Sequence, residues 1–270
     1  MPHVLRSAEN PPKSFGPFTV ARVAPPPLDE GVELGFGPLL GVHHATIAVG
    51  GVLSMHEHRN EEILSYVLRG SLLHAEPSGD SEPISRDRLM LMNAGTSSWH
   101  EESAPETEVE MLQIFILPEA DDLDCGVQFL RRPAEAREGG TWRLVAGPAG
   151  SGASLVVRQQ VSVYDASLPA GGRLVIPTAS GTHPLLYVVD GRVEVGDLQL
   201  GGGDAIYSTS EAELPLLRAS GPADVVLFLV DLSAPVCKTG TAWERMRAPA
   251  QGPDDQRHRD LIKTIPSGGE

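Results

Sequence analysis

Cysteine is nearly absent. Cys125 and Cys237 are the two in 270 residues, too few for a disulfide framework, so the reducing cytoplasm is the expected compartment. Long hydrophobic runs are missing as well. The first residues, Met1-Pro2-His3-Val4-Leu5-Arg6, contain no apolar signal core, and no stretch approaches the roughly 18 apolar residues of a membrane span. Secretion and membrane insertion are therefore not expected. Basic residues are in short supply: 21 Lys and Arg stand against 36 Asp and Glu, a net charge of −15. Such a field repels phosphate backbones and excludes nucleic-acid binding. Aromatics make up only 5%, so the core must be aliphatic, built from runs such as Leu112–Leu117 and Val225–Val230. Neither a Gly-x-Ser-x-Gly elbow nor a Gly-x-x-x-x-Gly-Lys phosphate loop is present. Convincing helical periodicity is also lacking; the best candidate runs from Cys125 to Ala136 and is faint.

What the chain does have is turns: 29 Gly and 23 Pro, with 41% hydrophobic residues between them. That pattern fits many short strands joined by tight loops. Ile63–Leu68 runs into Arg69-Gly70 and then Ser71–Ala75; Leu185–Val189 runs into Asp190-Gly191 and then Arg192–Val195. The second is a strong hairpin signal. The halves also resemble each other. Tyr66-Val67-Leu68-Arg69-Gly70 matches Tyr187-Val188-Val189-Asp190-Gly191, and Glu110–Ile116 matches Asp224–Val230. Two all-β units of about one hundred residues each follow. The expected limits are 1–130 for the first barrel, 131–141 for a linker rich in charge, Pro and Gly, 142–235 for the second barrel, and 236–270 for a polar C-terminal tail.

Chemistry concentrates in the first unit. His56-Glu57-His58 lies just before one strand, and His100-Glu101-Glu102 shortly before another. In extended chain, residues i and i+2 share a face. Two such pairs on adjacent inward-facing strands give three imidazole nitrogens and one carboxylate. That set suits Fe, Mn, Ni, Cu or Zn and leaves positions open for substrate or dioxygen. The repeat supplies a control. Opposite His56 and His58 stand Pro177 and Ala179; opposite His100 and Glu102 stand Leu214 and Leu216. All four polar positions change together, as expected if one site was kept whole and the other lost whole.

Other polar residues read as structural. Glu62 is expected to support the site rather than ligate, and Glu101 to face away from Glu102. His43-His44, adjacent in sequence, cannot both face inward. His74, after the hairpin, is expected to be exposed, and His183 has no chelating neighbour in its unit. Cys125 and Cys237 have no His nearby to activate them.

The stretch His56-Glu57-His58-Arg59-Asn60-Glu61-Glu62-Ile63-Leu64-Ser65-Tyr66-Val67-Leu68-Arg69-Gly70 resembles the first cupin motif of the pirin family, His-Pro-His-Arg-…-Glu-…-Tyr-Val-Leu-Glu-Gly. Met92-Asn93-Ala94-Gly95-Thr96-Ser97-Ser98-Trp99-His100-Glu101-Glu102 resembles the second, Met-x-Ala-Gly-x-Gly-Ile-x-His-Ser-Glu. The likeness is specific from about Gly50 to Leu117 and architectural beyond. It implies a bicupin: two tandem jelly-roll-like β-barrels, with one divalent transition metal, iron first among the candidates, held by His56, His58, His100 and Glu102. The family's activities include flavonol (quercetin) 2,3-dioxygenation, with Glu102 as general base on this chain, and some members regulate through a partner protein. A small aromatic substrate and a protein partner thus both stay open; a membrane and nucleic acid do not. The chain departs from the motifs at Glu57 for Pro, at Ser97-Ser98 for Gly-Ile and at Glu101 for Ser, and it lacks the family's aromatic-rich Trp-His-x-Phe segment near the N-terminus. All four ligand positions are kept; the pocket mouth is where a difference is expected.

Overall fold

In the computed structural model the repeat is reproduced pairing for pairing. Strand Glu62–Arg69 runs antiparallel to Val109–Ile116, with Tyr66 opposite Leu112. Strand His183–Asp190 runs antiparallel to Ala223–Val230, with Tyr187 opposite Val226. Each pair carries a register shift at the same place, between Glu110 and Met111 in one and between Val188 and Asp190 in the other. A glycine follows each, Gly70 at φ +78° and Gly191 at φ +86°; a Cβ there would lie 2.1 Å from the Glu108 carbonyl and 2.2 Å from the Pro222 carbonyl. Both turns therefore demand glycine for backbone handedness and for space.

The described residues are 2–23, 35–132, 140–210, 214–247 and the backbone of 262–264. Most of the expected linker, 131–141, lies outside them. The chain forms two compact units, and each draws on three segments. One unit comprises Pro12–Arg22, Leu40–Arg131 and Val236–Glu270; the other comprises Met1–Pro11, Val23–Leu39 and Arg132–Pro235. Both are β-structures, as expected. The unit with the histidine pairs is built on one continuous strand path, in which Gly51–His58 borders Ser98–Ser103, and Ser98–Ser103 borders Ser71–Ala75. The other unit sets a seven-stranded sheet with a four-stranded one. Its core is aliphatic and alternating, with Leu186, Val188, Val193, Val195, Leu217, Val225 and Leu227 all buried in one cluster. Burial of such side chains, about 25 cal/mol per Å², is what holds a sheet pair with so few aromatics.

The faint helical stretch after Cys125 is a strand. Gly126–Arg131 pairs along Arg88–Asn93, with Leu130 opposite Leu89. That partner strand's edge satisfies the backbone better than an isolated short helix would. The α-helix among the described residues is Thr241–Arg247, in the segment read as a polar tail. Among the described residues no helix is long and apolar enough to cross a membrane.

Candidate metal centre

Strand Gly51–His58 and strand Ser98–Ser103 pair so that His56 stands opposite His100 and His58 opposite Ser98. Alternation turns His56, His58, His100 and Glu102 to the buried side, while Glu57 and Glu101 are half-buried and Trp99 is exposed. Between His100 and Glu102 the register slips. On the facing strand, Glu102 meets Leu53, so Ser54 and Met55 together face Glu101. This is a β-bulge, and it serves the site. The Ser54 carbonyl within it accepts a hydrogen bond of 2.8 Å from His56 Nδ1.

Three imidazoles meet in the barrel. The ring centroids of His56, His58 and His100 lie 4.6 to 4.8 Å apart, and one nitrogen from each lies within 4.8 Å of the others. Tautomers follow from the partners. His56 Nδ1 faces a carbonyl, and His58 Nδ1 faces the Glu61 carboxylate, both acceptors only. Each Nδ1 therefore carries the proton, and each Nε2 presents a lone pair. Those two Nε2 atoms are 2.9 Å apart. His100 Nε2 is buried with no hydrogen-bond partner. Two lone pairs aimed at one another and a third nitrogen left unsatisfied form a costly arrangement in an apolar interior. A cation between them removes the cost. Three neutral imidazoles are what a divalent transition ion takes.

Glu102 lies beside this triad. With His74 and His100 it forms a second group whose ligand atoms lie within 4.8 Å of one another. Its oxygens accept from Ser65 Oγ at 3.4 Å and Gln113 Nε2 at 3.1 Å. Burial pushes its carboxyl up to about 7, and the two hydrogen bonds offset only part of that. Burial likewise drives His100 well below the ordinary imidazole value, and the neighbouring histidines drive it further.

His74 is buried, contrary to expectation. Its strand is interior, paired with Ser98–Ser103 on one side and Ser81–Ser85 on the other. There His74 Nδ1 is 3.1 Å from His100 Nδ1. The signal was available, since His74 shares a strand face with the buried Leu72. Glu61 was also missed. It holds His58, whereas the neighbouring Glu62 takes a 2.7 Å bond from Asn93 Nδ2. His44 pairs with Glu110 at 2.9 Å, and His43 lies against Phe115. Two of the motif departures compensate each other: Ser97 Oγ donates to Glu57 at 2.7 Å across the strand pair. His183 opens its strand opposite Val230, where the repeat places it at the position of Glu62.

The raised Glu102 carboxyl has a consequence for the metal-free protein. Unfolded, this group returns to about 4.5; folded, it holds its proton to about 7. Its contribution to stability is full below the lower value and is lost as pH rises through the higher one. At 1.36 kcal/mol per unit, the loss between pH 5 and 8 is roughly 2 to 3 kcal/mol. Buried His100 and His74 act in the opposite sense, costing stability as pH falls below the ordinary imidazole value. Comparing metal-free wild type with Glu102→Gln in urea cancels that part. The stability difference between them should shift against wild type from pH 5 to pH 8; a constant difference would show that Glu102 ionises normally.

The Pirin family model matches residues 35–116, and the model described as the quercetinase C-terminal cupin domain matches residues 144–231. A putative quercetin 2,3-dioxygenase of Mycobacterium tuberculosis is 32% identical over 178 residues, 64% of this chain and 71% of that protein. The quercetin 2,3-dioxygenase of Escherichia coli K12 is 27% identical over 197 residues, 72% of this chain and 83% of that protein. Among solved structures, bacterial pirin YhhW from Escherichia coli in complex with nickel(II) superimposes with a TM-score of 0.75 at 24% identity, over 87% of this chain and 100% of that one.

Proposed function

The chain belongs to the pirin family, and on that premise we propose that it is a metal-dependent dioxygenase of flavonols or related enolisable aromatics. One divalent transition metal, with iron the first candidate, is held by His56, His58, His100 and Glu102. The observation that carries this reading is the convergence of the three imidazoles, with the protonated nitrogens of His56 and His58 tied outward. A metal there supplies a Lewis acid that stabilises the anion of an enolisable hydroxyl.

The chain's own residues do the rest. Glu61 and the Ser54 carbonyl fix the tautomers of His58 and His56. Burial raises the Glu102 carboxyl in the metal-free protein, and swung away from the metal Glu102 takes the hydroxyl proton of the substrate as general base. Gln113 and Ser65 aim it by holding one oxygen each. The pairing of Ser97 with Glu57 adds polar groups where the family motifs have Gly and Pro, which supports a substrate range of its own. We place the protein in the cytoplasm, consistent with Cys125 and Cys237 both being free thiols.

The test is elemental analysis of protein purified without added metal, followed by oxygen uptake with quercetin and a small phenolic panel. We expect one metal per chain and uptake that depends on a flavonol-type hydroxyl. Uptake that persists in a His56→Ala/His58→Ala variant would overturn the assignment. The second barrel should contribute shape rather than chemistry. His183→Ala should leave metal content unchanged and activity within about twofold, since surface-like changes away from a site cost little; loss of metal on that change would show a ligand in the wrong barrel.

A further inference from the structure

The turn that follows the first ligand pair, Arg59-Asn60-Glu61, is gripped from outside by residues about 180 positions later in the chain, within the same compact unit. Thr241 holds Arg59 twice: its hydroxyl accepts from the Arg59 backbone N–H at 3.1 Å, and its own N–H donates to the Arg59 carbonyl at 3.2 Å. Asn60 Nδ2 donates to Thr239 Oγ1 at 3.0 Å. Glu61, 1% exposed, receives the most. The Thr241 hydroxyl donates to Oε1 at 2.6 Å, the Ala242 N–H donates to Oε2 at 2.6 Å, and Arg245 Nη2 lies 3.6 Å from Oε1. The remaining donor on that carboxylate is His58 Nδ1.

We propose that Glu61 is a positioning residue for the metal centre, and that the Thr239–Arg247 segment acts through it to hold His58 with Nε2 bare and aimed inward. This rests on the metal reading given above. An imidazole has two neutral tautomers, and only the one protonated at Nδ1 can ligate through Nε2. An ionised acceptor beside Nδ1 selects that tautomer and fixes the ring plane. The carboxylate is fixed in turn because both its oxygens are engaged by the first residues of the helix. Gly240 sets the approach: its φ is +107°, and a Cβ there would lie 2.2 Å from the Arg59 carbonyl.

The experiment titrates full-length metal-free protein with Co(II), following heat and the visible ligand-field spectrum. Glu61→Gln should weaken Co(II) binding by about 10- to 100-fold and shift the spectrum. Gly240→Ala, which touches no ligand, should do the same by lifting the segment, and the double variant should be no weaker than Glu61→Gln alone. Thr241→Val, close in shape, removes the hydroxyl and gives the same direction should alanine at 240 prevent folding. Wild-type affinity and spectrum in Glu61→Gln and Thr241→Val would overturn the proposal, as would full additivity in the double variant. A His56→Ala/His58→Ala variant run alongside separates the two readings: if it also binds Co(II) normally, the metal centre itself is wrong, and if it alone loses Co(II), the segment is only packing.

Discussion

Glu102→Gln should lower turnover on a flavonol by about a hundredfold or more while leaving much of the metal in place. The magnitude is that of a general base removed from a proton transfer. The amide keeps the shape and one acceptor oxygen, so three imidazoles and most of the local packing survive. The basicity does not, and burial raises it in the metal-free protein, where the carboxyl stands at about 7. Metal retention and rate are the two quantities to measure together. If affinity falls and excess metal restores the rate, Glu102 is a ligand and nothing more. Glu101→Gln is the control. Glu101 stands opposite Ala75 on the strand face turned away from Glu102, so it should change the rate by less than about twofold. Equal effects from the two would mean that the strand is one residue out of phase.

His56→Ala/His58→Ala should take metal content from one per chain to none. Two of the three convergent nitrogens go, and of that triad only His100 remains, with Glu102 and His74 beside it. The loss is also legible as stability. A ligand at a thousand times its dissociation constant stabilises the folded state by about 4 kcal/mol, and that increment should vanish from the melting curve in the double variant. No second ion is expected to replace it. At the repeat-related positions, Ala179 and Leu216 are exposed, and Pro177 and Leu214 offer no donor. Two tightly held equivalents, with one surviving in the variant, would show a second site, either in the second barrel or at His74, His100 and Glu102.

The fold was legible because the repeat is carried by strand-and-turn signals that physics makes local. Tyr66–Gly70 and Tyr187–Gly191 each end in a glycine that no other residue can replace, and the pairing register follows from there. The histidines were legible because two-residue spacing in a strand is itself a statement about direction. Glu61 was not, since nothing near it in sequence distinguishes it from Glu62. Its partners Thr241, Ala242 and Arg245 belong to a stretch whose polar composition carries no signal of docking. The stretch after Cys125 failed for the reverse reason: local pattern cannot reveal that Arg88–Asn93 offers an edge.

The bulge at Ser54-Met55 matters beyond the hydrogen bond to His56. It inserts one extra step between the apolar part of that strand, Gly51–Leu53, and its ligating part, His56–His58. The strand therefore has two independent phases joined at one point. A one-residue deletion there would leave every ligand in the gene and every other strand untouched, yet it would rotate one phase against the other and take the Ser54 carbonyl out of reach. Such a barrel can thus lose its metal through a change in length alone. In comparing relatives, the count of residues between Leu53 and His56 is then as diagnostic of a working centre as the histidines themselves.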